Sequence, residues 1–416
     1  MLATPEIIEE TTQLSRLEEL LPKLQRVPLY RPFLARWRKG ASMVESLRTF
    51  PFTGKREMRE GFPFLPPGQS LERLLEQDVV ELEHTSGTSE EQLPVVFRRG
   101  WWDAQEERAL RLNPLVARVL DAHPEARRVT LTTPACSGRV CFSAWRSREH
   151  RTIGRTLYVN QWRIPFILEE ESLARMAAEI ADWAPKFLDT DPVHAAWFAL
   201  YCERKGIRFP SLEFILCSYE FVSVAHRRIL QRVFGVPVLN LYGSTETGHL
   251  LMQDGQGRMK PCYDNAFLEV VEPDARAVGD LVVTTLTNDY MPLLRYRIGD
   301  LVERREGPYE TNYIVHGRKR DALRGGDGSR ITTWDVDQCF EGVEGIAHYQ
   351  LHQDKDGACR LRFVPDTNAG APQADDLKVV ATKLENLLQP KGVMEVEAVN
   401  NLPPTQSGKF RLTVNE

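Results

Sequence analysis

The sequence lacks several features that would assign a chain to a common class of protein. No CxxC pair occurs among its seven cysteines, so a structural zinc site would require distant Cys and His residues to converge. An odd number of scattered cysteines is typical of reduced thiols in a cytoplasm. No apolar run is long enough to span a bilayer, and the glutamates among the first twenty residues do not suit a signal peptide.

The chain also lacks an excess of basic residues, since its formal net charge is −5. Nucleic acid is therefore not an expected partner, because phosphate backbones require clustered Lys and Arg. No membrane partner is expected either. The 416 residues are too many for one ordinary core. These properties predict a soluble, cytoplasmic protein with two domains, or with one large domain and an appendage.

Apolar periodicity predicts strands and helices that alternate along the middle of the chain, as in an α/β crossover. The spacing of Leu173, Met176, Ile180 and Phe187 predicts a helix over 171–188. The other elements expected here are a helix over 194–205 that stops at Gly206, buried strands at 213–217 and 236–242, and an alternating strand at 281–287.

The character of the sequence changes after about residue 320. Strands are predicted near 346–352 and 360–364, followed by a helix over 375–388 and a last strand at 394–399. This pattern is typical of a small α+β domain.

The passage YGSTETG follows the strand predicted at 236–242. A strand that ends in a Gly-containing loop presents its groups at the carboxyl edge of a sheet, where α/β folds bind ligands. Tyr242 offers a flat face for a purine, Thr245 a hydroxyl for a phosphate oxygen, and Glu246 a hard oxygen ligand for Mg²⁺. The alternative is an ordinary polar turn.

Three further passages offer groups for a nucleotide. HTSGTSEEQLP at 84–94 is rich in hydroxyls that can wrap phosphates, but it lacks the GK[ST] ending of a P-loop. Asp300 follows Gly299 on a turn after an apolar strand, where its carboxylate could accept both hydroxyls of a ribose. Arg318 lies in a basic, Gly-rich passage and could reach a ribose or a phosphate. Taken singly, each passage also fits a solvated loop.

Lys409 lies on a Gly-flanked loop, in LPPTQSGKFRL at 402–412, and alone it would be an ordinary surface lysine. The passages nevertheless occur in one order: a Thr/Ser/Gly loop, YGSTE, YRIGD, GR followed by Asp321, and SGK. This order resembles that of the acyl-adenylate-forming superfamily, which includes acyl-CoA synthetases, adenylation domains of peptide synthetases and luciferases. The openings VPLYRPFLARW and FPFTGKREMRE are similar to those of its phenylacetate–CoA ligase-like branch.

The resemblance implies an enzyme that uses ATP and Mg²⁺ to activate a carboxylic acid as acyl-AMP, releases pyrophosphate and passes the acyl group to a thiol. It implies an α/β fold with a large N-terminal domain over 1–318, a hinge at 319–322 and a small mobile α+β C-terminal domain over 323–416. ATP would bind between these domains, and Arg320 would lie at the hinge.

The resemblance also implies roles position by position, in five groups. The phosphates would be held by Thr85, Ser86, Gly87 and Thr88, and the AMP contacts would come from Tyr242, Gly243, Ser244 and Thr245. Glu246 would hold Mg²⁺, and Asp300 and Arg318 would bind the ribose. Lys409 would bridge the attacking carboxylate and the α-phosphate.

Two departures from the family pattern concern these residues. Residues 89–93 replace the usual Gly and Lys of the phosphate loop, and the glutamates among them would repel phosphates. Ser218 and Tyr219 stand before Glu220, where the family has two small residues, so Tyr219 would narrow the pocket near the adenine. Glu220 is kept as a further nucleotide-binding candidate.

The acid would lie, by analogy, near His194, Trp197 and Tyr219, with Trp101, Trp102 and Phe198 as further lining candidates. An aromatic lining would suit an aryl or small acyl group. Core packing is the alternative for Trp197. The branch favours coenzyme A as the acceptor; the phosphopantetheine arm of an acyl or peptidyl carrier protein is the alternative. The altered 89–93 segment keeps open a non-catalytic nucleotide-binding homologue. The residues do not indicate an oligomeric state, and the resemblance leaves a homodimer open.

Overall fold

The structure, a computed structural model, describes residues 5–37, 42–85, 92–132, 147–161, 168–307, 310–370, 372–405 and 408–415. The chain divides into two compact units, one made of Met1–Ala117 with Leu241–Ile314 and the other of Arg118–Asn240 with Val315–Glu416. Strands and helices are mixed throughout, which confirms the predicted α/β class. No helix among the described residues is long and apolar enough to cross a membrane.

The helices, in chain order, are α1 (Pro5–Leu24), α2 (Arg31–Leu34), α3 (Met43–Leu47), α4 (Lys55–Glu60), α5 (Leu71–Glu76), α6 (Trp101–Leu110), α7 (Pro114–Ala122), α8 (Glu170–Trp183), α9 (Pro192–Lys205), α10 (Val224–Phe234), α11 (Thr333–Gln338) and α12 (Ala374–Leu388). Short 3₁₀ turns occur at Glu149–Arg151 and Lys319–Asp321.

The strands, in chain order, are β1 (Val80–His84), β2 (Pro94–Arg98), β3 (Arg128–Leu131), β4 (Thr152–Ile153), β5 (Thr156–Tyr158), β6 (Phe187–Thr190), β7 (Phe214–Cys217), β8 (Val238–Ser244), β9 (Gly248–Gln253), β10 (Met259–Pro261), β11 (Ala266–Val271), β12 (Val278–Thr285), β13 (Tyr296–Glu306), β14 (Thr311–Arg318), β15 (Leu323–Arg324), β16 (Arg330–Ile331), β17 (Ile346–Gln353), β18 (Cys359–Pro365), β19 (Glu395–Ala398) and β20 (Thr413–Asn415).

The first unit is built on antiparallel strand pairs. Its sheet runs in the order β11, β12, β13, β14, β10, β9 and the end of β8, and β1 pairs with β2 in a separate ribbon. All of β12 is buried, and this strand lies between the edge strand β11 and β13. Antiparallel pairing places β8 and β9 side by side and joins them through a tight turn.

The second unit contains a parallel sheet in the order β8, β7, β6, β3 and β5, with β4 added antiparallel at the edge. Strands β6 and β7 are buried at every position, as expected when helices cover both faces. Side chains of α8, α9 and α10 pack into the same core as these strands. The carboxyl ends of β3, β6 and β7 therefore meet at one edge of the sheet.

Local sequence fixes both ends of α9. Asp191 caps its N-terminus by accepting hydrogen bonds from the backbone N–H groups of Val193 and His194, and Pro192 occupies its first position. Gly206 ends it in the left-handed conformation with φ 66°. This helix confirms the one predicted over 194–205.

The helix predicted over 171–188 is wrong at its C-terminal end. Helix α8 stops at Trp183, and Ala184 takes the left-handed conformation with φ 47°. Phe187 starts β6 instead, and its ring stacks on that of Phe214 across the β6–β7 pair with centroids 4.8 Å apart. An apolar residue at a helical interval fits a buried strand equally well, so periodicity alone could not separate the two.

The region after residue 322 has its own sheet, in the order β19, β18, β17 and β20, with α11 and α12 packed into one core. The helix predicted over 375–388 and the strands near 346–352 and 360–364 are confirmed. The strand at 394–399 is not the last, because Thr413–Asn415 pairs in parallel with β17. Three residues are too few to produce a periodic signal. The predicted boundaries at 318 and 322 stay a prediction.

Candidate functional site

The passage YGSTETG forms the hairpin between β8 and β9 in the first unit. Gly243 and Ser244 belong to the strand, not to the loop that the sequence predicts, because they pair with His249 and Gly248. A Cβ on Gly243 would meet the Gly248 carbonyl oxygen and lie 2.8 Å from His249 Cα. The close approach of the two strands therefore requires glycine at position 243.

The turn of this hairpin is closed by hydroxyl groups. The Ser244 and Thr247 hydroxyls lie 3.0 Å apart, and the Thr247 N–H donates to Ser244 Oγ over 3.3 Å. Thr245 is half-buried and Glu246 is buried. The turn holds Thr245 and Glu246 next to each other at a fixed position on the hairpin.

Four residues of the first unit form what we call the tyrosine–carboxylate cluster: Tyr242, Glu246, Tyr296 and Asp300. The Tyr242 hydroxyl donates to Asp300 Oδ2 over 2.5 Å, across 58 positions of sequence. The Tyr296 hydroxyl donates to Glu246 Oε1 over 3.1 Å. Both carboxylates are buried, and each accepts a hydrogen bond from a neutral donor.

Asp300 lies inside β13, so the expectation that it follows the strand on a turn is wrong. Gly299 before it has φ 90°, a left-handed conformation that interrupts the regular pleat. The next strand, β12, shows a register shift against β13 between Asp280 and Val282. This break in the regular strand pairing explains why the sequence has a Gly-Asp pair, which is typical of a turn, inside β13.

Thr85 is buried at the base of the hydroxyl-rich loop. Its backbone N–H donates to the Leu93 carbonyl over 3.1 Å, and its Oγ1 accepts from the Leu93 N–H over 2.9 Å. The Lys55 ammonium donates to the same Oγ1 over 3.4 Å. Thr85 therefore ties the two ends of this loop together and brings a cation to its base. Ser86, Gly87 and Thr88 lie outside the described residues.

The expected Mg²⁺ ligand, Glu246, can be compared with what this ion requires. Among the described residues no group of three or more His, Cys, Asp or Glu side chains is arranged to hold a metal. Mg²⁺ in phosphate sites is typically held by one or two carboxylates together with phosphate oxygens and water. A single buried carboxylate on a turn fits that pattern.

Trp101 and Trp102 lie in the first unit on α6. Trp101 is buried and donates to Thr287 Oγ1 over 3.0 Å, and its ring lies 5.0 Å from that of Phe97. Trp102 packs against the ring of His249 with centroids 4.9 Å apart. These contacts give both tryptophans a packing role within the unit.

The second unit contains four residues that we call the lysine–carboxylate cluster: Asp189, Asp191, Glu220 and Lys409. Asp189 is the third residue of β6, Asp191 follows the end of β6, and Glu220 follows the end of β7. Asp189 and Asp191 are buried. The cluster therefore lies at the carboxyl edge of the parallel sheet, the usual ligand position in such sheets.

The loop that carries Lys409 is folded against Glu220. The Phe410 N–H donates to both carboxylate oxygens of Glu220, over 3.1 and 3.0 Å. The loop itself is closed by the Thr405 N–H, which donates to the Lys409 carbonyl over 2.8 Å. Gly408 takes φ 84°, so the residue before the lysine needs the left-handed conformation.

Burial dominates the electrostatics of this cluster. It raises the pKa of Asp191 to about 6, against the lowering effect of the His194 and Val193 N–H groups and of the Lys409 charge. It raises the pKa of Glu220 well above its usual range; the Asp191 charge adds to this rise and the Lys409 charge opposes it. Asp191, Glu220 and Lys409 therefore interact directly through their charges.

The residues expected to line the acid pocket lie around this cluster. His194 Nδ1 accepts from the Asn160 amide nitrogen over 2.7 Å, which leaves the Nε2 atom to carry the proton of a neutral imidazole. Its ring lies 6.0 Å from that of Phe410. The Tyr219 hydroxyl donates to Asp189 Oδ2 over 3.1 Å. Trp197 packs on the α/β core, as the core alternative for it predicts.

The passage predicted as a hinge forms the 3₁₀ turn Lys319–Asp321. Arg318, which precedes it, is half-buried, whereas the side chain of Arg320 is 69% exposed. Asp321 is buried and forms an ion pair with Arg411 over 2.6 Å. The turn is thereby joined to the chain two residues after Lys409.

Sequence reasoning did not select Asp191 or Lys55. For Asp191 a signal exists, since an Asp followed by Pro before an apolar run predicts a helix cap, but such a residue is normally structural. For Lys55 no local signal exists, because its contact with Thr85 joins residues 30 positions apart.

Comparison with known proteins provides independent information. Residues 323–416 match the family model described as the CapK C-terminal domain. The chain is 27% identical over 307 residues to the phenylacetate–coenzyme A ligase of Thermus thermophilus, covering 70% of this chain and 64% of that protein. It is 25% identical over 376 residues to the phenylacetate–coenzyme A ligase of Pseudomonas putida, covering 83% of this chain and 78% of that protein.

Among solved structures, the chain resembles 2-hydroxyisobutyryl-CoA ligase in the postadenylation state in complex with 2-HIB-AMP. The TM-score is 0.68 at 16% identity, covering 97% of this chain and 89% of that one. This likeness establishes the fold, a mixed α/β architecture with a small C-terminal region.

Proposed function

The chain belongs to the phenylacetate–CoA ligase-like branch of the adenylate-forming superfamily, and on that premise we propose that it activates a carboxylic acid with ATP and transfers the acyl group to a thiol. In the first step a carboxylate oxygen of the acid attacks the α-phosphorus of ATP, which forms acyl-AMP and releases pyrophosphate. In the second step the thiol sulfur attacks the acyl carbon, which forms a thioester, AMP and a proton.

The observation that supports this proposal most directly is the tyrosine–carboxylate cluster. The fold joins Tyr242 and Asp300 by a 2.5 Å hydrogen bond and places Glu246 on the same hairpin as Tyr242. We assign the Tyr242 ring to the adenine and Asp300 to the ribose hydroxyls, since a carboxylate can accept more than one hydrogen bond. Thr245, Gly243 and Ser244 would contact the AMP phosphate, and Arg318 would assist with the nucleotide.

Glu246 is the residue that would hold Mg²⁺, which when bound would supply positive charge to the phosphate oxygens. Thr85 and the loop it closes would contact the β- and γ-phosphates. The Lys55 ammonium at the base of this loop supplies a positive charge that residues 89–93 do not. This arrangement favours an active enzyme over a nucleotide-binding homologue without turnover.

Lys409 would bridge the attacking carboxylate and the α-phosphate. Two anions must approach each other in this step, and an ammonium between them lowers their repulsion in a water-poor site. Glu220 holds the loop of Lys409 through the Phe410 N–H, so this carboxylate acts by positioning the lysine. Arg320 is proposed as the hinge about which residues 323–416 move between the two steps.

The first experiment is ATP–pyrophosphate exchange with Mg²⁺ over a panel of aryl, aliphatic and amino acids. Exchange that depends on one acid supports adenylation and names the substrate. A folded, ATP-binding protein that exchanges with no acid would contradict the proposal. The same assay applied to a Lys409→Ala variant tests the role of that lysine. A Lys355→Ala variant, changed at an exposed lysine of the same region, is the control.

The proposed acceptor is coenzyme A. The test adds coenzyme A or a phosphopantetheinylated carrier protein to the identified acid and ATP, and measures thioester formation with each. A thioester formed with the carrier protein alone would reassign the acceptor while leaving the adenylation step in place.

A further inference from the structure

We propose that two buried histidines, His226 and His348, position Lys409 for adenylation by acting through the side chain of Phe410. We call these two residues the histidine pair. The inference rests on the proposed function and adds two positioning residues to it. It derives from a continuous series of contacts, within the second unit, that leads from helix α10 to the loop of Lys409.

The histidine pair joins α10 to β17, an inner strand of the sheet formed after residue 322. His226 is the third residue of α10, His348 is the third residue of β17, and both are buried. His226 Nε2 lies 3.0 Å from His348 Nδ1, and the two rings are stacked with centroids 5.1 Å apart at an interplanar angle of 20°. A hydrogen bond therefore connects two segments that lie 122 positions apart in the sequence.

A β-bulge in β17 places the pair against α10. The register of β17 against β18 shifts between Ile346 and His348, and Ala347 between them packs into the core that α8, α9 and α10 share with the parallel sheet. Arg228 of α10 donates to the Ile346 carbonyl over 2.9 Å. Two side chains of α10, His226 and Arg228, thus hold the bulged segment in one register.

Both rings of the pair are neutral. Burial lowers the pKa of His348 to about 3, and burial together with the charges of His348 and Arg228 lowers the pKa of His226 well below its usual range. His226 Nδ1 is buried and has no hydrogen-bond partner in the described part of the chain. The proton of His226 therefore lies on Nε2 and is donated to His348 Nδ1, because buried N–H groups without an acceptor are rarer than buried acceptors without a donor.

Phe410 connects the pair to the loop of Lys409. Its ring meets the His348 ring at 90° with centroids 5.5 Å apart, and it also lies 6.0 Å from the His194 ring. These distances are typical of edge-to-face contacts between aromatic rings. The Phe410 N–H donates to Glu220, so both the backbone and the ring of this residue are held. Because Phe410 follows Lys409 directly, a shift of β17 against α10 reaches the lysine through one peptide bond.

A hydrogen-bonded histidine pair is not the most stable way to fill a buried space. Two buried imidazoles lose their hydration, and an apolar pair of similar volume avoids that cost. Apolar side chains can slide past one another, whereas a hydrogen bond fixes both distance and direction. A displacement of about 1 Å from the reacting geometry can cost on the order of a hundredfold in rate. We therefore assign the pair to the precise placement of Lys409.

The test compares the two half-reactions in variants of the pair. His226→Leu should lower the maximal rate of acid-dependent ATP–pyrophosphate exchange by on the order of tenfold or more, because Lys409 is less precisely placed. The Michaelis constant for ATP should stay within about twofold of the wild-type value. Thioester formation from chemically prepared acyl-AMP and the thiol should be unchanged, because that step does not bring two anions together.

Two further variants separate positioning from stability. His226→Gln should restore most of the exchange rate, because the glutamine amide nitrogen can donate to His348 Nδ1 in place of the imidazole. The double variant His226→Leu/His348→Leu leaves neither partner unpaired, so its denaturant midpoint should equal or exceed that of the wild type. It should nevertheless exchange as slowly as His226→Leu. His150→Leu, a change at an exposed histidine of the same unit, is the control.

Three results would overturn this inference and leave the proposed function intact. These are wild-type exchange by the folded double variant, an equal loss in both half-reactions, and a His226→Gln variant that is no faster than His226→Leu. A wild-type protein that exchanges with no acid would overturn the proposed function and this inference with it.

Discussion

The tyrosine–carboxylate cluster and the lysine–carboxylate cluster hold their carboxylates in different ways. In the first, Asp300 and Glu246 each accept a hydrogen bond from a neutral tyrosine hydroxyl. In the second, Asp191 and Glu220 accept backbone N–H groups and interact through their charges with each other and with Lys409. The first is completed by strand pairing within the sheet, whereas in the second burial raises the pKa of both carboxyl groups.

The difference suggests a division of labour between recognition and chemistry. A carboxylate that accepts a hydrogen bond from a neutral tyrosine hydroxyl keeps its full negative charge. It can therefore also accept hydrogen bonds from neutral ribose hydroxyls. Carboxyl groups whose pKa is raised instead change their protonation when a charged ligand binds. Shifted pKa values of this kind are typical of groups at reacting centres.

Lys409→Ala should lower the rate of acid-dependent ATP–pyrophosphate exchange by on the order of a hundredfold or more, because it removes the charge that offsets the repulsion between two anions. The Michaelis constant for ATP should change far less. Steady-state exchange kinetics measure both quantities. Lys355→Ala should behave as the wild type. A Lys409→Ala enzyme that keeps most of its activity would contradict the role proposed for Lys409 in adenylation.

Asp300→Ala should act mainly on nucleotide binding, raising the Michaelis constant for ATP by on the order of tenfold, because a hydrogen bond to a charged group contributes about 1.5–3 kcal/mol. Tyr242→Phe should have a smaller effect of the same kind. Asp264→Asn, which alters an exposed ion pair with Arg16 in the same unit, is the control. A loss of the maximal rate with unchanged ATP binding would contradict the proposed role.

The pH dependence of stability should report the raised pKa of Asp191. With the pKa of Asp191 raised to about 6, its carboxylate is ionised above that pH and protonated below it. The free energy of unfolding should therefore rise as the pH falls from about 7 to about 4, because the native carboxyl group binds the proton more tightly than the unfolded one. Denaturant titrations across this range measure the slope, and the rise should be smaller in Asp191→Asn.

The smallest effect concerns the helix cap. Asp191→Ala should lower the free energy of unfolding by about 1 kcal/mol relative to Asp191→Asn, because alanine cannot accept the N–H groups at the start of α9. Denaturant titration of the two variants measures the difference. Equal stabilities would indicate that the first turn of α9 does not depend on the cap.

Local patterns predicted much of the second unit. The Asp-Pro start and the Gly206 end set the limits of α9. Apolar runs at 213–217 and 236–242 predicted the strands β7 and β8. The same periodicity failed at Phe187, because a buried strand follows α8 after only three residues. It also missed Thr413–Asn415, whose strand exists only because it pairs with β17.

The candidate site was less accessible to local reasoning. Tyr242, Glu246 and Asp300 were selected through a family resemblance, since no local pattern predicts a hydrogen bond across 58 positions. Asp191 was missed because its sequence context explains only the cap. Its interactions with the charges of Glu220 and Lys409 depend on tertiary contacts between distant segments.

The most direct test of adenylation follows the oxygen atoms of the acid. Once the exchange assay has identified the acid, its carboxyl group is labelled with ¹⁸O and the products of a complete reaction with ATP and the thiol are analysed by mass spectrometry. One ¹⁸O atom is expected in the phosphate of AMP, because the carboxylate attacks the α-phosphorus and the thiol later cleaves the acyl C–O bond. Label in inorganic phosphate, or none in AMP, would contradict an acyl-adenylate intermediate.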